Sequence, residues 1–416
     1  MALEILYWLQ DVREHLRVSR RRQALRRPGH GFDYTADQDT VRRVVSRLHP
    51  RRMRLRVTQV IQETPTARTF RFERTDGPLP PFRAGQYVNV FVDVDGVLTS
   101  RPYSIASAPP LSSPQAGGRE ALELTVRDKP DGFVAPYLLN EVRVGDELET
   151  TGPAGSFYYE PLIDGNDLVF LAGGSGITPF MSIIRDTLGR GEVTSPLHSP
   201  LHSPLHSPPH SPLHMHLLYG SRTPDDVICG DELTELAASH PNLDYALVIS
   251  EPLPGYEGLT GFLDADLIRE QVGRVLGKTF YICGPNVMVD FCLAALTELG
   301  VPRHKIKREL YGPPADVTQE PGWPEGLSAG TVFSVAVEGR ESIQAPAGEP
   351  LLNSLERYGI VVPAVCRAGE CSACRIRLLS GQVFMPAHTG LRESDRQYGY
   401  IHTCVSYPLT DLRLRL

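Results

Sequence analysis

The chain has 416 residues, a length that suggests two to four domains, and its formal net charge is −7. With 22% charged and 41% hydrophobic residues it has the composition of a water-soluble globular protein, and no apolar run approaches the roughly 20 residues of a membrane-spanning helix. No secretory signal pattern is present, so we expect a cytoplasmic protein, and we predict no nucleic-acid partner.

The first predicted element is a helical, arginine-rich extension over residues 1–52. Apolar residues recur at helical spacing over residues 3–16. Residues 1–56 hold 14 arginines against 6 acidic residues, a balance of +8 that leaves −15 for the rest of the chain. Such a helix either packs on its own protein or docks, through residues 1–30, on a membrane surface or a partner. The sequence leaves both interpretations open.

Three units follow, and they differ in the spacing of their apolar runs. Residues 53–160 alternate short strands with turns and contain one short helix, which predicts an antiparallel β-barrel. Residues 161–312 alternate continuous apolar strands with helices, which predicts a parallel α/β sheet covered on both faces. A Pro- and Gly-rich linker is predicted over residues 313–330. A smaller α+β unit is predicted over residues 331–416.

A low-complexity repeat, SPLHSPLHSPLHSPPHSPLH, occupies residues 195–214 inside the α/β unit. Its prolines forbid an α-helix, and a period of four distributes the histidines around a polyproline II axis of three residues per turn. The repeat interrupts a helix-to-strand connection, which lies at the amino ends of parallel strands, away from bound cofactors. We predict a surface insertion without a role in cofactor binding, with transient metal binding as the alternative. Its histidines are His198, His202, His206, His210 and His214.

Four of the seven cysteines form a pattern near the end of the chain. The spacing C-x4-C-x2-C-x29-C is the plant-type ligand pattern for a [2Fe-2S] cluster. Zinc sites usually show two separated C-x2-C pairs, so a compact triad with one distant cysteine fits zinc poorly. Gly369 suits a loop that curls tightly around the cluster. The predicted ligands are Cys366, Cys371, Cys374 and Cys404, whereas Cys229 and Cys292 are interpreted as structural.

These motifs carry a family resemblance that covers residues 53–416. The segments LLNSLERYGIVVPAVCRAGECSAC and GYIHTCVSYP resemble plant-type ferredoxin domains, which implies a β-grasp fold. RPYSIAS, after a GQYV strand, resembles the flavin-binding signature of the ferredoxin–NADP reductase superfamily, and PDGFVAPYLL resembles its pyrophosphate-binding turn. Together they resemble a flavoprotein reductase of that superfamily fused to a C-terminal plant-type ferredoxin domain.

The resemblance implies where the flavin is held. Arg101 would neutralise a flavin phosphate, Tyr103 would face the ring, and Ser104 would hydrogen-bond the ring near N5. The family usually has Ser or Thr where this chain has Ala135, but GDELETTGPAGSFYY resembles the FAD branch. FAD is therefore expected, and FMN is the alternative. The implied flavin-binding residues are Arg101, Pro102, Tyr103, Ser104, Gly132, Val134, Ala135 and Tyr311.

The nicotinamide site is implied by two further motifs. LVFLAGGSGITPFMSII is a buried strand, a glycine-rich turn that lets the backbone approach a pyrophosphate, and a helix. It resembles the NAD(P)-binding domain of the same superfamily, and YICGPNVM resembles that domain's second signature. The likeness places Cys283 beside the nicotinamide and Glu309 near the centre, so these two and Ser104 are the predicted catalytic residues. The implied nucleotide-binding residues are Gly173, Gly174, Gly176, Thr178, Ser221, Arg222, Gly284 and Pro285.

The choice between NADH and NADPH depends on the loop after the second strand, YGSRTPDD. Arg222, assisted by Ser221, is placed to clamp a 2′-phosphate. Asp225 and Asp226 would repel the same phosphate. The sequence leaves both cofactors open.

The predicted function follows from electron counting. A nicotinamide gives two electrons as one hydride, a [2Fe-2S] cluster takes one electron at a time, and a flavin does both. The predicted path runs from NAD(P)H through the flavin and the cluster to an electron-accepting redox protein or metalloenzyme, such as an oxygenase. The alternatives are reverse flow from a reduced carrier into NAD(P)+ and a non-catalytic redox-sensing subunit. The sequence leaves the oligomeric state open.

Overall fold

The computed structural model describes residues 50–110, 121–129, 132–189, 213–387 and 389–416, and also Val12, Leu16 and Arg20, which are helical. The predicted role of residues 1–30, and the repeat apart from its last two residues, lie outside the described residues. Contacts divide the chain into Met1–Pro50 and Arg51–Leu416, and the sheets seen in the described residues belong to the second unit. Within the described part of the chain, no helix is long and apolar enough to cross a membrane.

The first sheet is an antiparallel barrel. Its elements are β1 (Met53–Thr64), β2 (Ala67–Arg74), β3 (Tyr87–Val94), β4 (Val97–Ser104), β5 (Leu122–Arg127), α1 (Ala135–Glu141) and β6 (Glu147–Thr150). The strand order is β4-β3-β6-β1-β2-β5. Polar and apolar residues alternate at the start of β1, so that Met53, Leu55 and Val57 are buried and the residues between them are exposed. A bridge between Ile105 and Leu124 joins the two edge strands and closes the predicted barrel.

The second sheet is parallel and covered on both faces, as predicted. Its strands are β7 (Asp167–Gly173), β8 (His214–Ser221), β9 (Leu243–Ile249), β10 (Leu259–Thr260), β11 (Thr279–Gly284) and β12 (Ile306–Leu310). Its helices are α2 (Pro161–Asp164), α3 (Thr178–Gly189), α4 (Gly230–Ser239), α5 (Ala265–Val272) and α6 (Asn286–Glu298). α3 and α4 pack on one face, and α5 and α6 on the other. The order β10-β9-β8-β7-β11-β12 places the crevice between the carboxyl ends of β7 and β11.

The third unit has the β-grasp fold that the ferredoxin resemblance implied. Its elements are β13 (Val332–Val337), β14 (Ile343–Pro346), α7 (Leu351–Arg357), β15 (Arg375–Ser380), β16 (Val383–Phe384), α8 (Glu393–Gln397), β17 (Tyr400–His402), β18 (Tyr407–Pro408) and β19 (Leu412–Arg415). The main sheet has the order β14-β13-β19-β15-β17, with β13 and β19 parallel. Leu351, Leu352 and Leu355 of α7 are buried in its core. This packing leaves the loop between α7 and β15 at one end of the unit.

The segment predicted as a linker is packed on the third unit. Val317 is buried in a small cluster with Phe384 and Tyr407. Trp323 meets Phe384 edge to face, with ring centroids 5.4 Å apart. Contacts between aromatic rings and a buried valine favour an ordered segment over a free one. Residues 317–323 therefore belong to the ferredoxin unit in packing, although their composition is that of a linker.

Deleting residues 195–213 is expected to leave the redox chemistry intact. The repeat connects α3, which ends at Gly189, with β8, which starts at His214, at the amino edge of the sheet. The few residues that remain between α3 and β8 after the deletion match the roughly 2–6 residues that helix-to-strand connections use. FAD content, iron content and the rate of NAD(P)H oxidation should all stay at the parent values. Loss of flavin, or a large fall in rate, would show that the repeat supports the cofactor sites.

Candidate active site

The four predicted cluster ligands meet at the exposed end of the third unit. Three come from the loop between α7 and β15, and Cys404 comes from the turn after β17. The Sγ atoms of Cys374 and Cys404 are 3.3 Å apart, and the Sγ of Cys366 contacts both Cys371 and Cys404. Cys371 is exposed, whereas the other three are buried. Four converging sulfur donors fit a [2Fe-2S] cluster.

The loop conformation explains how three ligands face one point. Gly369 has a left-handed φ of +80°, and a Cβ there would lie 2.8 Å from Cγ2 of Val405. The tight curl turns three backbone N–H groups toward the Sγ of Cys366, each at 3.4 Å. Such donors stabilise negative charge on a thiolate. The donors belong to Ala368, Glu370 and Cys371.

His402, which is not among the predicted residues, holds the same loop. It is buried, its Nδ1 lies 2.8 Å from the carbonyl oxygen of Gly369, and its Nε2 lies 3.1 Å from Oγ of Ser372. Ser372 also has a left-handed φ of +58°. The imidazole thus bridges the triad loop and the turn of Cys404. A histidine two residues before a ligand, inside an otherwise apolar strand, was the available signal.

A buried polar group lies where β4 and β12 end. Oγ of Ser104 is 3.0 Å from Oε2 of Glu309 and 2.6 Å from the hydroxyl of Tyr311. Burial raises the pKa of Glu309 to about 8, against the opposing hydrogen bonds of Ser104 and Tyr311. At neutral pH the carboxyl group is therefore mostly protonated, so it is poised to exchange a proton.

Cys283 lies next to this group on the neighbouring strand. It is paired with Glu309 in the β11–β12 register. Burial raises the pKa of its thiol well above the ordinary value, and the charge of Glu309 adds to the effect. The structure thus brings the predicted catalytic residues Ser104, Cys283 and Glu309 together with Tyr311. The thiol stays neutral, so it offers a small polarizable surface rather than a nucleophile.

The predicted flavin-phosphate residue carries a charge that the protein only partly neutralises. Nη1 of Arg101 donates to Oγ1 of Thr99 at 2.7 Å. Burial, and then the neighbouring guanidinium of Arg367, lower the pKa of Arg101 to about 10. The carboxylate of Glu356 faces both guanidinium groups. The excess positive charge fits an anionic phosphate, so the residues present fit a flavin nucleotide.

The start of α1 provides the turn that the resemblance assigns to the flavin diphosphate. The N–H of Gly132 donates to the carbonyl oxygen of Lys129 at 2.8 Å. A Cβ on Gly132 would lie 2.8 Å from that same oxygen, so the turn requires glycine. Val134 is buried in the barrel core, and α1 begins at Ala135 with a proline in its first turn. This turn can therefore bind a diphosphate through backbone N–H groups, because Ala135 has no side-chain hydroxyl.

The glycine-rich turn after β7 packs tightly against the end of β11. A Cβ on Gly176 would lie 2.7 Å from the backbone nitrogen of Gly284, and one on Gly284 would lie 3.2 Å from Cα of Gly173. α3 begins at Thr178, whose Oγ1 donates to the carbonyl oxygen of Ser175 at 2.9 Å. The glycines therefore serve the close approach of two strand ends as well as ligand access. The predicted residues at this crevice are Gly173, Gly174, Gly176, Cys283, Gly284 and Pro285.

Known families match all three units. The oxidoreductase FAD-binding domain matches residues 54–159, the oxidoreductase NAD-binding domain matches 170–293, and the 2Fe-2S iron-sulfur cluster binding domain matches 335–409. The 3-ketosteroid-9-alpha-monooxygenase ferredoxin reductase component of Mycobacterium tuberculosis is 30% identical over 376 residues, covering 86% of this chain and 94% of that protein. Flavoprotein reductases of the ferredoxin–NADP reductase superfamily with a C-terminal [2Fe-2S] domain share this organisation. The chain belongs to this family.

Two further comparisons support this family assignment. NADH oxidoreductase HCR of Escherichia coli (strain K12) is 30% identical over 364 residues, covering 87% of this chain and 97% of that protein. The structure of phthalate dioxygenase reductase has the same fold, with a TM-score of 0.62 at 22% identity, covering 88% of this chain and 98% of that one. The chain is therefore an oxidoreductase that passes electrons from NAD(P)H through FAD and a [2Fe-2S] cluster to an external acceptor. The predicted barrel, parallel α/β sheet and ferredoxin domain, the cofactors and the reaction are confirmed.

Two polar residues of the loop after β8 of the reductase make contacts within the protein. Oγ of Ser221 donates to two carbonyl oxygens of its own turn, at 3.1 and 3.2 Å. Asp226 is buried, accepts from the hydroxyls of Thr64 and Thr66 at 2.9 and 2.6 Å, and pairs with Arg127. Asp226 thus anchors the NAD(P) domain on the barrel.

A buried polar network joins the barrel to the cluster loop, and none of its ferredoxin-side residues was predicted. Oγ1 of Thr99 donates to Oε2 of Glu356 at 2.9 Å, and Glu356 pairs with Arg367. Nη2 of Arg367 donates to Oγ1 of Thr99 at 2.9 Å. Arg367 directly follows the ligand Cys366, and Arg101 donates to the same threonine. The network therefore links the cluster loop to the flavin-phosphate residue.

Tyr87 lies between the cluster ligands and the buried group of Ser104 and Glu309. It is the cross-strand partner of Ser104 in the β3–β4 register and is buried. Burial raises the pKa of its phenol, and the nearby thiols of Cys366 and Cys371 and the carboxyl of Glu309 add to the effect. The same ring thus lies within electrostatic range of the cluster ligands and of the predicted catalytic group.

Cys404→Ala is expected to abolish the cluster while sparing the flavin. Removing one of four thiolates leaves an iron site open, and the barrel lies in a separate core. Iron and sulfide content per FAD should fall to a small fraction of the parent value, with flavin reduction by NADH retained. Cys292→Ala, which removes a buried thiol from the α6 core, is the matched control and should keep its iron. Equal iron loss in both variants would argue against this ligand assignment.

Glu356→Gln is expected to slow electron transfer from flavin to cluster selectively. The substitution keeps size but leaves Arg367 and Arg101 without their shared carboxylate, and breaking such a buried pair costs roughly 3–5 kcal/mol. In anaerobic stopped-flow experiments, flavin reduction by NADH should be nearly unchanged, and cluster reduction should slow by about tenfold or more.

Glu349→Gln is the control for Glu356→Gln. Glu349 pairs with Arg357 of the same ferredoxin unit and has an exposed partner. Its loss should leave both rates near the parent values. Equal slowing in the two variants would mean that general destabilisation, rather than the interface, limits the transfer.

Proposed function

We propose that the physiological acceptor of this reductase is the metal centre of an oxygenase component. The observation that carries the proposal is the asymmetry of the cluster loop. Arg367 is buried against the barrel, whereas Glu370 and Cys371 on the same loop are exposed. Electrons thus enter the cluster from the barrel side and leave through the exposed side. The Mycobacterium tuberculosis relative serves a monooxygenase, which supports the choice of acceptor.

The side chains of the chain have distinct roles in this scheme. When bound, FAD accepts a hydride from the nicotinamide and releases its electrons singly. Glu309 and Ser104 hold and exchange the accompanying proton, because the carboxyl group is protonated near neutral pH and bonded to the serine hydroxyl. Cys283 stays neutral and closes the crevice beside them. Glu356 fixes the distance between the barrel and the cluster loop.

The acceptor is tested by affinity purification of the native reductase under anaerobic conditions. NADH should reduce the metal centre of the co-purifying enzyme when the parent reductase is present. The Cys404→Ala variant should retain NADH-driven flavin reduction but fail to reduce the partner. Equal reduction through Cys404→Ala, or reduction of the flavin by the partner without NADH, would contradict forward flow through the cluster.

We also propose that NADH is the preferred nicotinamide. Arg222 is exposed and has the carboxylate of Glu251 at 3.9 Å, and Asp225, three residues further along the same loop, is exposed as well. Two carboxylates against one guanidinium disfavour a 2′-phosphate and suit a ribose 2′-hydroxyl. The Escherichia coli relative bears the name of an NADH oxidoreductase.

The nicotinamide preference should appear in kcat/KM. We expect kcat/KM for NADH to exceed that for NADPH by about tenfold or more. Repulsion between a surface carboxylate and a 2′-phosphate at short range costs roughly 1–4 kcal/mol. The double variant Asp225→Asn and Glu251→Gln should narrow the ratio, mainly by raising kcat/KM for NADPH. Glu298→Gln, at the far end of α6, is the control and should leave the ratio unchanged. A parent enzyme that prefers NADPH would overturn the assignment.

We propose a cytoplasmic location as well. The seven cysteines are free thiols, and a reducing compartment preserves thiols that must ligate a cluster. Cell fractionation that follows the FAD and iron of the protein tests this location.

A further inference from the structure

A cluster of histidine and carboxylate side chains lies at the amino end of the parallel sheet. Asp167 is the first residue of β7, and its register partner is His214, the first residue of β8. His216 lies two residues along β8 and therefore on the same face as His214. Asp244 of β9 is the register partner of His216. Three neighbouring strands thus bring four ionisable side chains to one edge.

The donor atoms of three of these side chains converge. Nδ1 of His214 lies 3.1 Å from Nε2 of His216, and that Nε2 lies 3.2 Å from Oδ1 of Asp167. One ligand atom from each residue lies within 4.8 Å of the other two. Donors bound to one Zn²⁺ at about 2.0–2.2 Å in tetrahedral geometry are roughly 3.3 Å apart. The observed separations are close to that spacing.

One carboxylate oxygen of the group is buried without a hydrogen bond. Oδ1 of Asp167 has no hydrogen-bond partner and lies 3.2 Å from Nε2 of His216. The ring of His216 is held from its other side, because Oδ2 of Asp244 lies 2.8 Å from its Nδ1. A buried oxygen without a partner is rare in proteins, and an ion site is one explanation for it.

The ammonium group of Lys278 lies beside the donor atoms of Asp167 and His216. Its Nζ lies 2.5 Å from Oδ2 of Asp167 and 3.0 Å from Nε2 of His216. The ammonium group therefore competes directly with any metal ion for the same donors. Its flexible stem lets it leave when a doubly charged ion arrives.

We propose that Asp167, His214 and His216 form a binding site for a divalent transition metal ion of the Zn²⁺ class, with Lys278 as the competing cation. Imidazole and carboxylate donors select this class of ion over Mg²⁺ or Ca²⁺. The site lies about 20 Å from the crevice, because β7 runs from Asp167 to Gly173 at roughly 3.3 Å per residue. It is therefore separate from the electron path and ties the amino ends of β7 and β8 together.

The test uses the full chain loaded with FAD and its cluster. The four other histidines of the repeat are first replaced by glutamine, so that the repeat supplies no ligands besides His214. In this background, titration with Zn²⁺ should reveal one ion per chain. Co²⁺ should give ligand-field bands without thiolate-to-metal charge transfer, which excludes binding by cysteines. The replaced residues are His198, His202, His206 and His210.

Two variants test the proposed ligand set in opposite directions. His214→Asn should weaken Zn²⁺ binding by about tenfold or more. Lys278→Met should tighten it by a similar factor, because the competing ammonium is removed. His304→Asn, in an exposed turn, is the control and should bind as the background does.

The outcomes decide the proposal. The proposal would be overturned if the four-histidine background bound no stoichiometric Zn²⁺, or if His214→Asn bound Zn²⁺ with the same affinity as that background. Lys278 would then be the permanent cation beside Asp167 and His216. FAD and iron content verify that each variant folds. Because His214 is only partly buried, its variant decides the question even if Lys278→Met fails to fold.

Discussion

One buried carboxylate sets the geometry on which electron transfer in this reductase depends. Glu356, on the ferredoxin unit, faces the guanidinium groups of Arg367 and Arg101 and accepts a hydrogen bond from Thr99. An unpaired charge inside a protein is costly, so these groups stabilise the interface only in one arrangement. The ferredoxin unit is therefore held at a fixed position against the barrel. Electron transfer to the cluster requires that fixed distance.

The charge balance of this network also couples cofactor binding to domain docking. One carboxylate against two guanidinium groups leaves a positive excess at Arg101. An anionic phosphate at Arg101 removes that excess and weakens the repulsion between Arg101 and Arg367. The barrel that has bound its flavin is thus the better partner for the ferredoxin unit. Assembly of the electron path and loading of its first cofactor favour each other.

The NAD(P) domain is attached to the barrel by the same physical means. Asp226 is buried and is held by Arg127 and by the hydroxyls of Thr64 and Thr66. At both interfaces a carboxylate from outside the barrel pairs with an arginine and accepts hydrogen bonds from threonine of the barrel, Thr99 at one interface and Thr64 and Thr66 at the other. Hydrogen bonds and ion pairs are directional, so they fix orientation as well as contact. The barrel thereby orients the crevice of one neighbour and the cluster loop of the other.

How far the sequence predicted this arrangement depends on how local each signal is. The cluster ligands were predictable because thiolates on one short loop must keep a fixed spacing. Ser104, Glu309 and Tyr311 were predictable from motifs, although the hydrogen bonds among them join distant strands. The bond between Thr99 and Glu356 spans 257 residues and has no local pattern.

Composition misled in two places for the same reason. Asp226, in a polar loop, was expected to repel a 2′-phosphate, and the structure buries it against the barrel, paired with Arg127. Residues 313–330 have the composition of a linker, yet Trp323 packs on Phe384 and Tyr407. Composition reports the average preference of a segment. Whether one residue finds a buried partner depends on the surface that folding brings opposite to it.

The two ends of the parallel sheet face different constraints. At the carboxyl ends, Gly176 and Gly284 must stay without side chains because the backbones of β7 and β11 nearly touch. At the amino ends, the strands begin with Asp167 and His214, whose side chains have room to be polar and partly exposed. A long insertion there costs little, since each doubling of loop length adds only about 0.6 kcal/mol of closure entropy. The amino edge is thus the part of the sheet that can accept a histidine-rich repeat, and an ion-binding group beside it, without disturbing the chemistry at the other edge.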